Sequence, residues 1–222
     1  MKLVIVIPAY NEEKTIGKLI DQLKNQGYRR IIVVDDGSED RTYKIASSKN
    51  AEVFRHIFNR GLGGALRTGF AAALKNGADL IVTMDADLQH SVSDIPKLVS
   101  PVINKEADVV IGSRMLDFRD MPLSRRLANK IANFFTWLFF GLKVTDSQSG
   151  FRCFSKKALA KMDLTSNKME ISSEIIQEIK RNNLRLKEIP IKSIYTSYSL
   201  SKGQNLILGI KTLIKLILLR TK

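Results

Sequence analysis

What most constrains this chain is a change of rhythm repeated through its first half. Strand-like runs at residues 3–7, 31–34, 52–56, 80–84 and 108–111 alternate with helical periodicity at 14–26, 42–49 and 64–76. Runs of consecutive apolar residues, rather than alternating ones, suit strands covered on both faces. Asn25, Gly27, Asn76 and Gly77 punctuate the turns. Repeated strand–helix–strand units join parallel neighbours through crossover helices. The expected fold class is therefore α/β, a mainly parallel, Rossmann-like sheet with helices on both faces.

The second half is less regular. Residues 125–141 read as a helix ending in the run Phe134-Phe135-Thr136-Trp137-Leu138-Phe139-Phe140, and residues 145–150 read as a polar loop. A helix is expected at 170–181, a strand at 186–191 and a basic, apolar helix at 203–219. No repeat, low-complexity tract or long linker divides the 222 residues, a length that suits one large domain, here 1–203, with 204–222 as an appended amphipathic helix.

In open α/β sheets ligands gather at the carboxyl ends of strands, and polar motifs follow three of the expected strands directly. The first strand runs into Pro8-Ala9-Tyr10-Asn11-Glu12, the second into Asp35-Asp36-Gly37-Ser38-Glu39-Asp40-Arg41-Thr42, and the fourth into Asp85-Ala86-Asp87-Leu88-Gln89-His90. In an extended segment, residues two apart point the same way. Asp85, Asp87 and the Gln89 side-chain oxygen can then converge on one point, an oxygen donor set suited to a hard divalent cation such as Mg²⁺ or Mn²⁺. Each motif also has a plainer reading. The acidic pair can be a solvated turn, Asp36-Gly37-Ser38 a tight turn with Ser38 or Asp40 capping a helix, and Pro8 a strand stop. One shared pocket accounts for all three at once.

Charge and cysteine content narrow the class. The chain carries 36 Lys and Arg against 22 Asp and Glu, and 15 of the former but five of the latter fall from Gly150 onward. Such a surface attracts nucleotide phosphates, an anionic membrane or nucleic acid. Nothing pairs aromatic with basic residues or resembles a recognition helix, so nucleic acid is not an expected partner. The single Cys153 excludes an internal disulfide framework and fits a reducing compartment. The N-terminus runs into a strand without the features of a signal peptide. With two histidines in all, His56 reads as structural and a His-rich metal site is excluded. Asn59-Arg60-Gly61-Leu62-Gly63-Gly64 lacks the third glycine of a dinucleotide loop and the lysine of a phosphate loop, so close backbone packing is the better reading.

The three motifs, in their order and spacing, resemble the inverting glycosyltransferase family with the GT-A fold. Ile111-Gly112-Ser113-Arg114, Pro122-Leu123-Ser124-Arg125-Arg126 and Asp146-x-x-Ser149-Gly150-Phe151-Arg152 narrow the resemblance to dolichol-phosphate mannose synthase and other polyprenyl-phosphate glycosyltransferases, over residues 1 to about 203. The resemblance implies that 1–203 is the catalytic domain. It implies a nucleotide-sugar site of Pro8, Ala9, Tyr10, Glu12, Asp36, Asp85, Ala86 and Lys202, and Mg²⁺ or Mn²⁺ on Asp85, Asp87 and Gln89. Asp87, Arg114 and Arg125 become the catalytic candidates, with Arg114, Arg125 and Lys202 on the acceptor phosphate or leaving diphosphate. Guanidinium forks match phosphate oxygens. The implied reaction moves a hexose, mannose from GDP-mannose first and glucose from UDP-glucose second, to a polyprenyl or dolichyl phosphate. A phosphate acceptor is already ionised at neutral pH and needs no general base. The sequence departs from the family where relatives carry a basic residue shortly before Ser201-Lys202; here the stretch is Tyr195-Thr196-Ser197-Tyr198-Ser199-Leu200.

No run reaches the ~20 apolar residues that a spanning helix needs. Residues 205–220 would make a helix about 24 Å long at 1.5 Å per residue, with Lys211, Lys215 and Arg220 along a basic stripe. That pattern suits an interfacial anchor or a helix capping the core. With residues 134–140 it points to peripheral attachment at the cytoplasmic face of a membrane. Two other classes stay open: a transferase with a saccharide hydroxyl acceptor, which would need a carboxylate base, and a binding module, either a Mg²⁺-binding one like a phospho-receiver or one whose basic tail holds nucleic acid.

Overall fold

The computed structural model describes residues 1–118 and 121–194. Lys202, the 203–219 helix and the 204–222 segment lie outside them.

Seven strands form one sheet in the order β3-β2-β1-β4-β6-β5-β7. They are β1 (Leu3–Ala9), β2 (Ile31–Asp35), β3 (Glu52–Arg55), β4 (Leu80–Thr83), β5 (Val109–Ser113), β6 (Arg152–Ser155) and β7 (Leu186–Pro190). The β1–β2, β2–β3 and β1–β4 pairs are parallel, as the alternation of the first half requires. β5 and β7 are also parallel. The unexpected element is β6, which runs antiparallel between β4 and β5. Only four residues long, Arg152-Cys153-Phe154-Ser155, it carries no periodic signal of its own.

Side chains on successive strand residues enter opposite cores. Ile5 and Ile7, Ile31 and Val33, Leu80 and Val82 pack with α1 (Ile16–Asn25), α2 (Thr42–Ser48) and α4 (Ile95–Ile103). Val4 and Val6, Ile32 and Val34, and Ile81 pack with α3 (Leu62–Lys75), α6 (Lys156–Lys161) and α7 (Ile171–Arg181). The sheet is therefore covered on both faces, as expected. Helix α3 lies close enough that a Cβ on Gly69 would stand 2.3 Å from Val6 Cγ1. The glycines before it pack backbone to backbone: a Cβ on Gly63 would stand 2.2 Å from the Ser166 carbonyl oxygen, and Gly64 N–H donates to the Asn167 carbonyl at 2.9 Å.

Helix α5 (Leu123–Phe140) buries only Thr136 and Phe140, and Gly141 ends it in the left-handed conformation at φ 68°. Leu123, Leu127, Ile131, Phe134, Trp137 and Leu138 are exposed, and at 100° per residue they fall on one stripe about 120° wide. None of the described helices is long and apolar enough to cross a membrane.

Candidate active site

The insertion of β6 builds the site. Because it pairs antiparallel with β4, with Thr83 opposite Arg152, its start lies at the carboxyl end of β4. Gly150 is thereby laid against Asp85. The segments after β1, β2 and β5 end on the same edge of the sheet.

The first two are stitched together. Asn11 N–H donates to Ser38 Oγ at 2.9 Å, Glu39 N–H to Asn11 Oδ1 at 2.9 Å and Glu12 N–H to Thr42 Oγ1 at 2.7 Å. Asn11 takes a left-handed φ of 53°, which asparagine tolerates better than most side chains. Tyr10 is 43% exposed above this turn, while Ala9 is buried and Pro8 half-buried in β1. Asp36 is buried and its oxygens are spent internally. Arg60 and Gly61 N–H donate to it at 2.9 and 2.7 Å, and His56 Nδ1 lies 2.7 Å from Oδ1. The other His56 nitrogen meets Thr68 Oγ1 at 2.9 Å, tying β3 to α3. Asp36 thus fastens the 57–61 loop; the resemblance implied a nucleotide-sugar contact for it. The loop carries Ile57 and Phe58, 98% and 69% exposed.

Asp85 and Asp87 come together with Ala86 buried between them, and Leu88 takes a left-handed φ of 62°. The expected third oxygen is engaged by a neighbour. Gln89 donates its Nε2 to Asp87 Oδ2 at 2.6 Å and its backbone N–H to Asp87 Oδ1 at 3.0 Å, while its Oε1 accepts from Arg125 Nη1 at 3.4 Å. A carboxylate accepts and a guanidinium donates, so the amide orients between them. No group of three or more His, Cys, Asp or Glu among the described residues gathers closely enough to hold a metal. A cation here would rest on the two carboxylates and on its substrate's oxygens.

The two carboxyls differ. Burial, then the charges of Asp85 and Glu12, raise Asp87 above the ordinary carboxylate range. Burial also pushes Asp85 upward, but the hydrogen bond and charge of His90, with the charges of Arg114 and Arg152, leave it below that range. Two carboxylates one residue apart at the end of a strand are hard oxygen donors, so the donor chemistry fits a divalent ion.

The arginines do not stand as isolated cations. Arg114 donates Nε to Asp146 Oδ2 at 2.7 Å and Nη2 to Oδ1 at 2.8 Å, with its own N–H on Oδ2 at 2.9 Å. Asp146 is fully buried, and Asp146 and Thr145 N–H groups donate to Glu188 on β7. Arg152 is buried and donates to the carbonyls of Ser149 and Ser147 at 2.8 and 2.7 Å. Sequence reasoning gave Asp146, Gly150, Arg152 and His90 no role; their signals were the compact Asp146–Arg152 motif and, for His90, its place at the end of the Asp85–His90 motif.

A model described as Glycosyl transferase family 2 matches residues 4–163. The chain belongs to that family. It is 50% identical over 222 residues to an uncharacterized protein of Methanocaldococcus jannaschii, covering 98% of this chain and 91% of that one. It is 41% identical over 240 residues to the UDP-N-acetylglucosamine–dolichyl-phosphate N-acetylglucosaminyltransferase of Methanococcus voltae, covering 98% and 96%. It is 31% identical over 224 residues to the undecaprenyl-phosphate mannosyltransferase of Micrococcus luteus, covering 94% and 90%. Among solved structures, glucosyl-3-phosphoglycerate synthase of Mycobacterium tuberculosis superposes with a TM-score of 0.77 at 22% identity, over 99% of this chain and 79% of that one. The fold of this glycosyltransferase is accordingly GT-A, as the motifs implied.

Proposed function

We propose that this transferase is an inverting, metal-dependent enzyme that moves a sugar from a nucleotide diphosphate sugar to a polyprenyl or dolichyl phosphate at a membrane surface. The carrying observation is that Asp85 and Asp87 both follow the end of β4, with Arg125 reaching the Gln89 that holds Asp87 and Arg114 held by Asp146. Acid and base side by side suit a reaction between two phosphate-bearing molecules, in which the site must hold both anions and screen their repulsion. A divalent cation on Asp85 and Asp87 would neutralise charge developing on the leaving diphosphate. The mycobacterial synthase has been solved with Mn²⁺ and UDP-glucose, which supports that assignment.

Tyr10, Glu12 and the Asp36-fastened loop line the side where base and ribose would lie. Asp36 acts there through the backbone it orders. Arg125, held by Gln89, and Arg114, held by Asp146, present cationic edges to the acceptor phosphate, which needs no base. The family resemblance adds Lys202 to this basic set, and Lys202 lies outside the described residues. For the donor, UDP-N-acetylglucosamine ranks first, because the Methanococcus voltae relative bearing that name matches nearly end to end. GDP-mannose, placed first by motif resemblance, ranks second on the Micrococcus luteus relative, ahead of UDP-glucose. The exposed stripe of α5 and the basic 204–222 segment would rest on the cytoplasmic face of the membrane, near the lipid-borne acceptor.

The test is a thermal-shift panel of UDP, GDP and their sugars with and without Mn²⁺, followed by transfer to a polyprenyl phosphate. At a ligand concentration 100-fold above Kd, linkage contributes about 2.7 kcal/mol, a rise of roughly 5–10 °C for a chain of this size. One nucleoside diphosphate should stabilise only with metal, and Asp87→Ala should lose the effect. A metal-independent shift, or none with any nucleotide, would overturn the assignment.

A further inference from the structure

Asp85 is gripped from several sides by residues that the reaction itself does not use. His90 is 2% exposed, and its Nε2 lies 3.2 Å from Asp85 Oδ2. Its Nδ1 is buried and has no hydrogen-bond partner among the described residues. A ring nitrogen that faces a carboxylate carries the proton, so Nε2–H donates to Asp85. The ring is held by stacking on Phe151, with centroids 5.0 Å apart and planes at 23°. Gly150 closes the other side: a Cβ there would stand 2.3 Å from Asp85 Oδ1 and 2.6 Å from Cγ. Thr83 Oγ1 donates to the Gly150 carbonyl at 2.7 Å, clipping that residue to β4. Arg152 donates to the backbone carbonyls of Ser147, Ser149 and Ser172 and so fixes the turn that carries Gly150.

We infer that His90 and the 146–152 turn form a seat that presets the Asp85 carboxylate for the cation, His90 being a positioning residue and Gly150 the one residue small enough to line the seat. The inference rests on the proposal that Asp85 is a cation ligand. Without the seat, a carboxylate on a short side chain at a strand end would sample several rotamers and lose entropy on binding the ion. With it, ordering is complete beforehand. Outer-shell partners of this kind typically contribute 10–100-fold to metal affinity.

The experiment is Mn²⁺ titration of the full chain, followed by electron paramagnetic resonance of the free ion, with UDP and with GDP in parallel. His90→Phe keeps a ring on Phe151 but removes the donor, and should raise the Mn²⁺ Kd about 10- to 100-fold. His90→Gln restores an N–H donor and should recover most of that loss. Gly150→Ala, scored beside its circular dichroism spectrum, should weaken Mn²⁺ binding while the secondary structure stays intact, and it keeps the test decisive if the Phe variant does not fold. Wild-type affinity in His90→Phe or in folded Gly150→Ala, or equal losses in the Phe and Gln variants, would overturn the seat. Wild-type protein that binds no Mn²⁺ with either nucleotide would instead remove the cation assignment beneath it.

Discussion

Replacing Asp146 with alanine should destabilise the fold far more than an ordinary loop substitution. Asp146 is fully buried and takes three N–H bonds from Arg114, one from its backbone and two from its guanidinium. The Arg114 side chain is 15% exposed, so water replaces little of what is lost. Removing one partner of such a pair strands the other charge, which costs about 3–5 kcal/mol. For a domain of this size each kcal/mol moves the melting temperature by roughly 2–4 °C, so a fall on the order of 10 °C is expected. Arg114→Met alone should also destabilise, because Asp146 then loses both guanidinium bonds and keeps the backbone N–H of residue 114. The double variant should be less harmed than the two singles combined. Urea unfolding of all four proteins, followed by the fluorescence of the single Trp137, closes the cycle. Additivity within about 0.5 kcal/mol would show that the pair does not interact and would refute the clamp. A measurable coupling means that Arg114 is held in place by Asp146 before any phosphate arrives.

Two further outcomes follow from exposed features. Converting Leu123, Leu127 and Ile131 on α5 to glutamine should leave the melting temperature nearly unchanged, since all three are exposed, yet reduce flotation with anionic vesicles; unchanged flotation would detach α5 from the membrane proposal. Arg185 donates Nε and Nη2 to Asp108 at 2.9 Å each, and these hydrogen bonds, ahead of the opposing burial, lower the Asp108 carboxyl below its ordinary value. A carboxyl depressed on folding stabilises above its unfolded pKa and loses that contribution as pH falls through the folded one. Asp108→Asn should therefore flatten the acid limb of a stability–pH curve, and an unchanged slope would argue against this pair as a contributor.

The parallel half of the sheet was legible in the chain because its signal is local. A strand covered on both faces must be apolar at every position, and Ile31-Ile32-Val33-Val34 cannot satisfy that requirement any other way. The carboxylates of Asp85 and Asp87 could be placed at a strand end for the same reason, and the motifs around them carried the family. What the sequence alone could not decide were the partners. Asp146 meets Arg114 across 32 residues, and Gly150 lies against Asp85 across 65, only because β6 enters the sheet antiparallel between β4 and β5. Four residues have no periodicity strong enough to announce that insertion. Gln89 was read by type as a metal ligand, and Asp36 was placed in the substrate site by the resemblance. The tertiary structure gave them to neighbours first, because a buried acceptor takes the donors that packing brings within reach.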